Sequence, residues 1–464
     1  MNHLIIAPVL LPAIIAALIL LLPRQARLLS IAGTAGLAAL SLVLMSHTSR
    51  HPPETYLLGD WPAPYGIVLQ LDRLSALMLV LVAVLAGAVL WQVIATRLDQ
   101  KTRHSHTLFQ FQLMGLSGAF LTADLFNLFV FFEVLLIASY GLMVHGGGAA
   151  RLQAGLRYVA VNLVGSSLFL VALALIYAVT GTLNMADLAA KVAALPPGDH
   201  GLIRTAAVLL LLVFALKAAL VPLHLWLPGT YANAPAPVAA LFAVLTKVGA
   251  YAAIRTTTLI FPPETAATGR LLVDLMLPAA LLTLLLGSLG ALGAKGLPRQ
   301  LAFATIASMG TLFIAVSTAT PQATTAALYY LIHSTLAGGA MFLLADRLIP
   351  RPASAVVFFA TAIAVAGLPP LSGFLGKLLI LQATAAQALL VWPVILVGSF
   401  LLLTGFARAG AELFWAPDAR TPPPHPTPIG PAAALLAALV ALTAFAGPVT
   451  DWLALTAIAL HGAP

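Results

Sequence analysis

Four ionisable residues stand inside runs that are otherwise apolar: Glu133 in FNLFVFFEVLLIASYGL, Lys217 in LLVFALKAALVPLHLWLP, Lys247 in LFAVLTKVGAYAA and Lys377 in GLPPLSGFLGKLLIL. Even on a permissive insertion scale, a charge at the centre of a spanning helix costs about 2.5–3.5 kcal/mol, so four uncompensated ones would cost roughly 10 kcal/mol. Such residues face the interior of a bundle, pair with one another and change protonation readily. Burial favours the neutral lysine or acid, and a nearby opposite charge favours ionisation. A row of groups poised between two protonation states is what a proton relay requires. The alternative is a set of structural ion pairs, or lysines that snorkel to an interface. Of the 14 acidic residues, Glu133 is the one placed deep in an apolar run, with Asp124, Asp274 and Asp346 near run ends. A lone carboxylate among three lysines should find one of them, and chain order points to Lys217 or Lys247.

Two histidines form a second layer. His224 follows Lys217 by seven residues, which on a continuous helix is about two turns, roughly 10 Å along one face. Pro222 lies between them and removes a backbone hydrogen bond, freeing a carbonyl that can hold water beside both side chains. His333 sits mid-run in ALYYLIHSTLAGGAMFLL, with Gly338-Gly339 permitting close approach of a neighbour. A neutral imidazole can accept and donate a proton in the physiological range, so both suit a relay; a satisfied structural histidine is the other reading. Neither has a second ligand at i+3 or i+4, so no metal site is expected. Gly146-Gly147-Gly148 lacks the phosphate-cradling pattern, and Trp61, Trp226 and Trp452, at apparent run ends, read as interfacial anchors. With no cysteine, the chain holds no thiolate-ligated iron–sulfur cluster and no disulfide. No cofactor is expected, and any redox chemistry belongs to a partner.

These residues need a membrane to position them. The chain has 464 residues, 61% hydrophobic and 8% charged, with a mean hydropathy of +1.04, where a soluble domain carries about a quarter charged residues. The expected fold class is an all-α polytopic membrane protein in one integral domain. Candidate spans fall near 4–22, 28–46, 73–95, 108–125, 126–144, 155–179, 204–228, 237–259, 271–292, 300–319, 323–346, 355–388, 391–409 and 430–448, fourteen in all. The opening run lacks a basic leader segment and reads as a first span rather than a cleaved signal peptide. Span 355–388 is too long for one straight crossing and contains Pro369-Pro370, so it reads as a broken helix.

The net charge of +8 comes from Lys and Arg scattered between spans, which excludes a nucleic-acid patch and provides a topology test. With the N-terminus outside, 13 of the 22 basic residues fall on the cytoplasmic side and 6 outside, the other three being Lys217, Lys247 and Lys377. The positive-inside rule therefore places both termini outside. One apolar run in each half is interrupted by proline, at Pro222 and at Pro369-Pro370, with a lysine near each break. Paired interrupted helices point to an inverted-repeat transport fold.

The quoted segments, together with LKAALVPLHLWLPGTYANAPAPVAALFAVLTKVGAYAAIR, resemble the antiporter-like membrane subunits shared by complex I, membrane-bound hydrogenases and multi-subunit Na+/H+ antiporters. Through LGDWPAPYGIVLQLDRLSALMLV the resemblance is greatest to the D-type subunit of Mrp-type antiporters. It covers nearly the whole chain. It implies fourteen helices, with three N-terminal helices in 1–107, two inverted five-helix repeats in 108–260 and 271–410, and a C-terminal helix at 430–448. It implies a bacterial inner-membrane location and a hetero-oligomeric cation/proton antiporter as partner complex, with a redox-driven pump as the alternative setting. Residue by residue, it makes Glu133 and Lys217 the coupled pair of a first half-channel, with His224 the histidine after the seventh-helix proline. Lys247 becomes the central lysine, His333 part of the middle relay and Lys377 the terminal lysine. Two departures stand out. No ionisable group follows His333 at Ala337-Gly338, which leaves its link to Lys377 to water, and the stretch from Asp346 to Phe358 is shorter than usual.

Overall fold

The computed structural model describes residues 2–345, 351–415 and 428–462. Asp346, Arg347, Arg420 and the proline-rich linker at 421–426 lie outside the described residues, as does most of the short connection before Phe358. The described chain is helical almost throughout. In order, the helices are α1 Ala7–Leu21, α2 Ala26–Thr48, α3 Arg73–Ala95, α4 Ser105–Leu121, α5 Leu125–Met143, α6 Ala149–Thr180, α7 Met185–Ala193, α8 His200–Lys217, α9 Trp226–Asn233, α10 Ala236–Phe242 and α11 Leu245–Arg255. The second half continues with α12 Leu271–Gly293, α13 Leu297–Val316, α14 Pro321–Leu344, α15 Pro352–Ala366, α16 Ser372–Ala383, α17 Ala388–Phe414, α18 Gly430–Ala444 and α19 Ala446–Gly462.

Among the described residues, ten helical segments are long and apolar enough to cross a membrane, eleven if α18 and α19 count as one bent span, and α1, α15 and α16 are shorter apolar helices. The protein is thus an all-helical membrane protein. Its centre is α14, which packs against α3, α10, α13, α15, α16, α18 and α19. In segment 236–260, comprising α10, α11 and a wide final turn, the whole apolar window is buried, whereas in α17 a third of it is. The charged residues of the central helices therefore meet protein, not lipid.

Local signals explain the helix limits. Asp72 caps α3 through a reciprocal pair with Ser75, Asp124 accepts from the Asn127 amide to start α5, and Asn184 caps α7. Between α2 and α3 the chain forms an antiparallel hairpin, β1 Glu54–Leu57 with β2 Val68–Leu71, an addition to the all-α expectation. The C-terminal helix expected at 430–448 is instead two helices meeting at 80°. Pro448 has no amide hydrogen with which to continue the α18 ladder.

One buried ion pair, and one whose arginine is half-exposed, tie the N-terminal helices to the rest. Arg255, one of the six basic residues the charge count places outside, lies within α11 and is 4% exposed. Its guanidinium takes the Asp72 carboxylate in a two-point grip, with one arm at 2.7 Å, while its Nε donates to the Tyr251 hydroxyl at 3.0 Å. At another corner Arg27 donates to Asp99 at 2.5 Å, and His106 approaches the same carboxylate at 3.2 Å. Burial alone would raise the Asp99 carboxyl, but Arg27 and His106 together hold it below the usual carboxylate range. Asp72 and Asp99 are thus more completely buried than Glu133, which is half-buried.

Candidate functional site

The first break follows from Pro222. Without an amide hydrogen, and with a ring that crowds the carbonyl four residues back, proline cannot sit inside a continuing helix. α8 stops at Lys217, Ala219 takes a left-handed φ of 56°, and the chain resumes through a short turn at Leu223–Leu225 into α9. His224 therefore does not lie two helical turns beyond Lys217 on one face, because no helix joins them. Its Nδ1 is buried without a hydrogen-bond partner among the described residues. Trp226 is not an interfacial anchor either. It is 7% exposed, stacks on Tyr158 and donates through Nε1 to the Leu216 carbonyl at 3.0 Å, satisfying one of the groups the break releases.

Around this break α6 holds two functional side chains at once. Asn162 and Ser166 are one turn apart on one face. Lys217 Nζ donates to Asn162 Oδ1 at 3.0 Å, and Ser166 donates to the Glu133 carboxylate in a short hydrogen bond. Glu133 lies within Coulombic range of Lys217 without forming a contact ion pair. The ammonium also sits 5.7 Å above the Phe132 ring. Of the two lysines that chain order allowed, the one beside Glu133 is thus Lys217.

Lys247, in the first turn of α11, is 1% exposed, and among the described residues its ammonium meets only the Met309 sulfur, at 3.2 Å. Gly249 brings its helix against the first break: a Cβ there would lie 2.8 Å from the Phe214 carbonyl and 3.2 Å from the Lys217 Cβ. On the other side of Lys247 is a small space of about 30 Å³ reaching His333. The His333 Nδ1 lies 3.0 Å from the Ser372 hydroxyl, at the start of α16. A Cβ at Gly373 would come within 2.9 Å of the ring, so this glycine lets the second broken helix approach His333.

The second break repeats the design. α15 ends at Ala366, Gly367 turns the chain with φ 79°, and Pro369 and Pro370 remove two successive donors before α16 begins. Lys377 is 5% exposed and folds back across the break, donating to the freed Ala366 carbonyl and to Ser399 Oγ, both at 2.7 Å. A cation over the last carbonyls of a helix interacts favourably with its dipole.

The structure thus sets Glu133, Lys217, Lys247, His333 and Lys377 along the interior, carried by α5, α8, α11, α14 and α16. His224 stays beside the first break. Sequence reasoning missed Asn162, Ser166, Ser372 and Ser399, which hold these groups; a single Asn four residues before a Ser inside the apolar run of α6 was a signal available for the first two. Chemically, the arrangement can hold excess protons on buried amines separated by hydroxyls, an amide and small spaces.

A family model described as the membrane part of NADH:quinone oxidoreductase and Mrp antiporters matches residues 122–404. A probable D-type subunit of a K+/H+ antiporter from Rhizobium meliloti is 38% identical over 98% of this chain and 95% of its own. The D-type subunit of a Na+/H+ antiporter from Bacillus subtilis is 39% identical, over 92% of this chain and 90% of its own. Among solved structures, a chain of the Mrp complex of a Dietzia species superposes with TM-score 0.90 at 27% identity, covering 99% of this chain and 98% of that one. A chain of respiratory complex I from Thermus thermophilus gives 0.83 at 26% identity, covering 99% of both.

Proposed function

The chain belongs to the NADH:quinone oxidoreductase/Mrp antiporter family of membrane subunits, and from that premise we propose that it is the D-type, proton-carrying subunit of a multi-subunit monovalent cation/proton antiporter. Protons move along Glu133, Lys217, Lys247, His333 and Lys377, with His224 supplying a side branch at the first break. Protonation of Lys217 is favoured while Glu133 is near, and weakening that interaction releases the proton toward Lys247. Each elementary charge crossing the membrane exchanges about 2.3 kcal/mol per 100 mV, which couples the path to the membrane potential. The exchanged cation is sodium or potassium, matching the names of the two relatives. One carboxylate is a poor site for a dehydrated cation, which favours protons as the cargo of this subunit.

The observation that carries this reading is the burial of three lysine ammoniums at and between two helix breaks, each touching neutral groups. A structural charge would be cheaper to omit than to bury. The same reading takes α8 with α9, α10 with α11 and α15 with α16 as single broken crossings, giving fourteen with both termini outside and α19 along the surface. Segments 108–260 and 271–410 then each hold five crossings with the proline break in the fourth. Five is odd, so the second set starts from the opposite face, as an inverted repeat requires.

The test is cation-dependent proton exchange in inverted membrane vesicles carrying the whole complex, in a host without other antiporters. Glu133→Ala and Lys377→Ala should each bring exchange to background while the complex assembles normally. Wild-type exchange in both variants overturns the proposal.

A further inference from the structure

The small space between Lys247 and His333 is bounded by α11, α13, α14 and α15, and its polar wall includes Ser308, Tyr330 and Ser334. Two of its groups are short of partners. An ammonium carries three donors, and the Lys247 ammonium, almost wholly buried, has no oxygen acceptor among the described residues. The Ser308 hydroxyl is buried and lies beside the Tyr330 hydroxyl, with no well-formed hydrogen bond among the described residues. A buried charge without acceptors is far costlier than a hydrated one. A space of about 30 Å³ is enough for about two waters, each wanting two to four polar partners, which this wall supplies.

Gly338 also lines this space, and its neighbour differs from it in role. A Cβ at Gly339 would lie 2.5 Å from Leu85 Cδ1, so Gly339 serves helix packing; a Cβ at Gly338 meets nothing nearer than 3.8 Å, from Ala243. Alanine would fit at 338 and is the better helix former by about 1 kcal/mol. The sequence places both glycines together as packing residues, and the structure gives packing to Gly339 alone.

We propose that Gly338 keeps open a two-water site that hydrates the Lys247 ammonium, with Ser308 as its second anchor, and that a proton leaving Lys247 for the second half passes through it. The proton moves from the lysine nitrogen to a water oxygen, that water passes a different proton to the second water, and the second water gives one of its own to the His333 imidazole, which becomes imidazolium. The lysine is left neutral and both waters unchanged. This rests on the proton path proposed above and assigns Gly338 and Ser308 as positioning residues in it.

The experiment compares Gly338→Ala, Gly338→Ser and Lys247→Ala in vesicles carrying the whole complex, reading the exchange rate and the amount of assembled complex. Gly338→Ala should assemble as wild type yet slow exchange by about tenfold or more, the equivalent of one lost hydrogen bond to a charged group. Gly338→Ser, of similar bulk but with a hydroxyl in place of a displaced water, should recover most of the rate. A normal rate in Gly338→Ala while Lys247→Ala is inactive overturns the water site and leaves the path standing. So does a serine variant as slow as the alanine one, or loss of assembly in Gly338→Ala. Normal exchange in Lys247→Ala removes the path itself, and the water site with it.

Discussion

The two helix breaks present the same backbone device with different electrostatics. At the first, Lys217 ends α8, bonds the Asn162 amide and has the Glu133 carboxylate within range across α6. At the second, Lys377 reaches back over Gly367 to a main-chain carbonyl and the Ser399 hydroxyl, with no acidic side chain among its bonded partners. A carboxylate can be moved or protonated, so its hold on a lysine can be switched; the carbonyl end of a helix is a fixed partial charge. The difference suits a loading end governed by Glu133 and a terminal end whose affinity is set by the fold.

Replacing Glu133 with Gln keeps an acceptor for Ser166 and removes only the charge. Exchange should fall to background, as in the alanine variant, when measured as cation-dependent alkalinisation of vesicles; activity near wild type would erase the distinction between the two ends. Next in size is Gly367→Ala. The residue has φ 79°, and an added Cβ would lie 2.6–2.8 Å from the Lys377 side chain. Left-handed strain and overlap should together cost at least about 2 kcal/mol, read as a lower melting temperature of the purified complex. The first break makes its turn with an alanine, Ala219 at φ 56°. Smaller again is the loss of one lysine partner. Asn162→Ala removes the hydrogen-bond acceptor of Lys217 and should slow exchange about tenfold, whereas Ser399→Ala leaves Lys377 its carbonyl and should slow it by only a few-fold. Equal losses in the two would mean that the fixed carbonyl contributes nothing.

Much of this arrangement was legible in the chain. Glu133, Lys217, Lys247 and Lys377 stand out because a charge in an apolar run is rare, and Pro222 and Pro369-Pro370 because proline forbids a continuous helix. The holders of those charges were less visible. Asn162, Ser166, Ser372 and Ser399 are ordinary residues of membrane helices, and nothing local says which of many hydroxyls will face a lysine from another helix. Arg255 shows the opposite error: counted among the outside charges, it is a buried partner of Asp72, 183 residues away in sequence.

By itself, then, the sequence determined that this is a polytopic helical protein, that its helices break at Pro222 and Pro369-Pro370, and that Lys217, Lys247 and Lys377 must be buried, because each of these is set by a residue and its near neighbours in the chain. Only the tertiary structure decided that Glu133 faces Lys217 and not Lys247, that Lys377 closes its own helix break, and that Gly338 borders a space while Gly339 fills a contact. Those outcomes depend on which faces of separate helices meet, and no local pattern encodes the rotation of one packed helix against another.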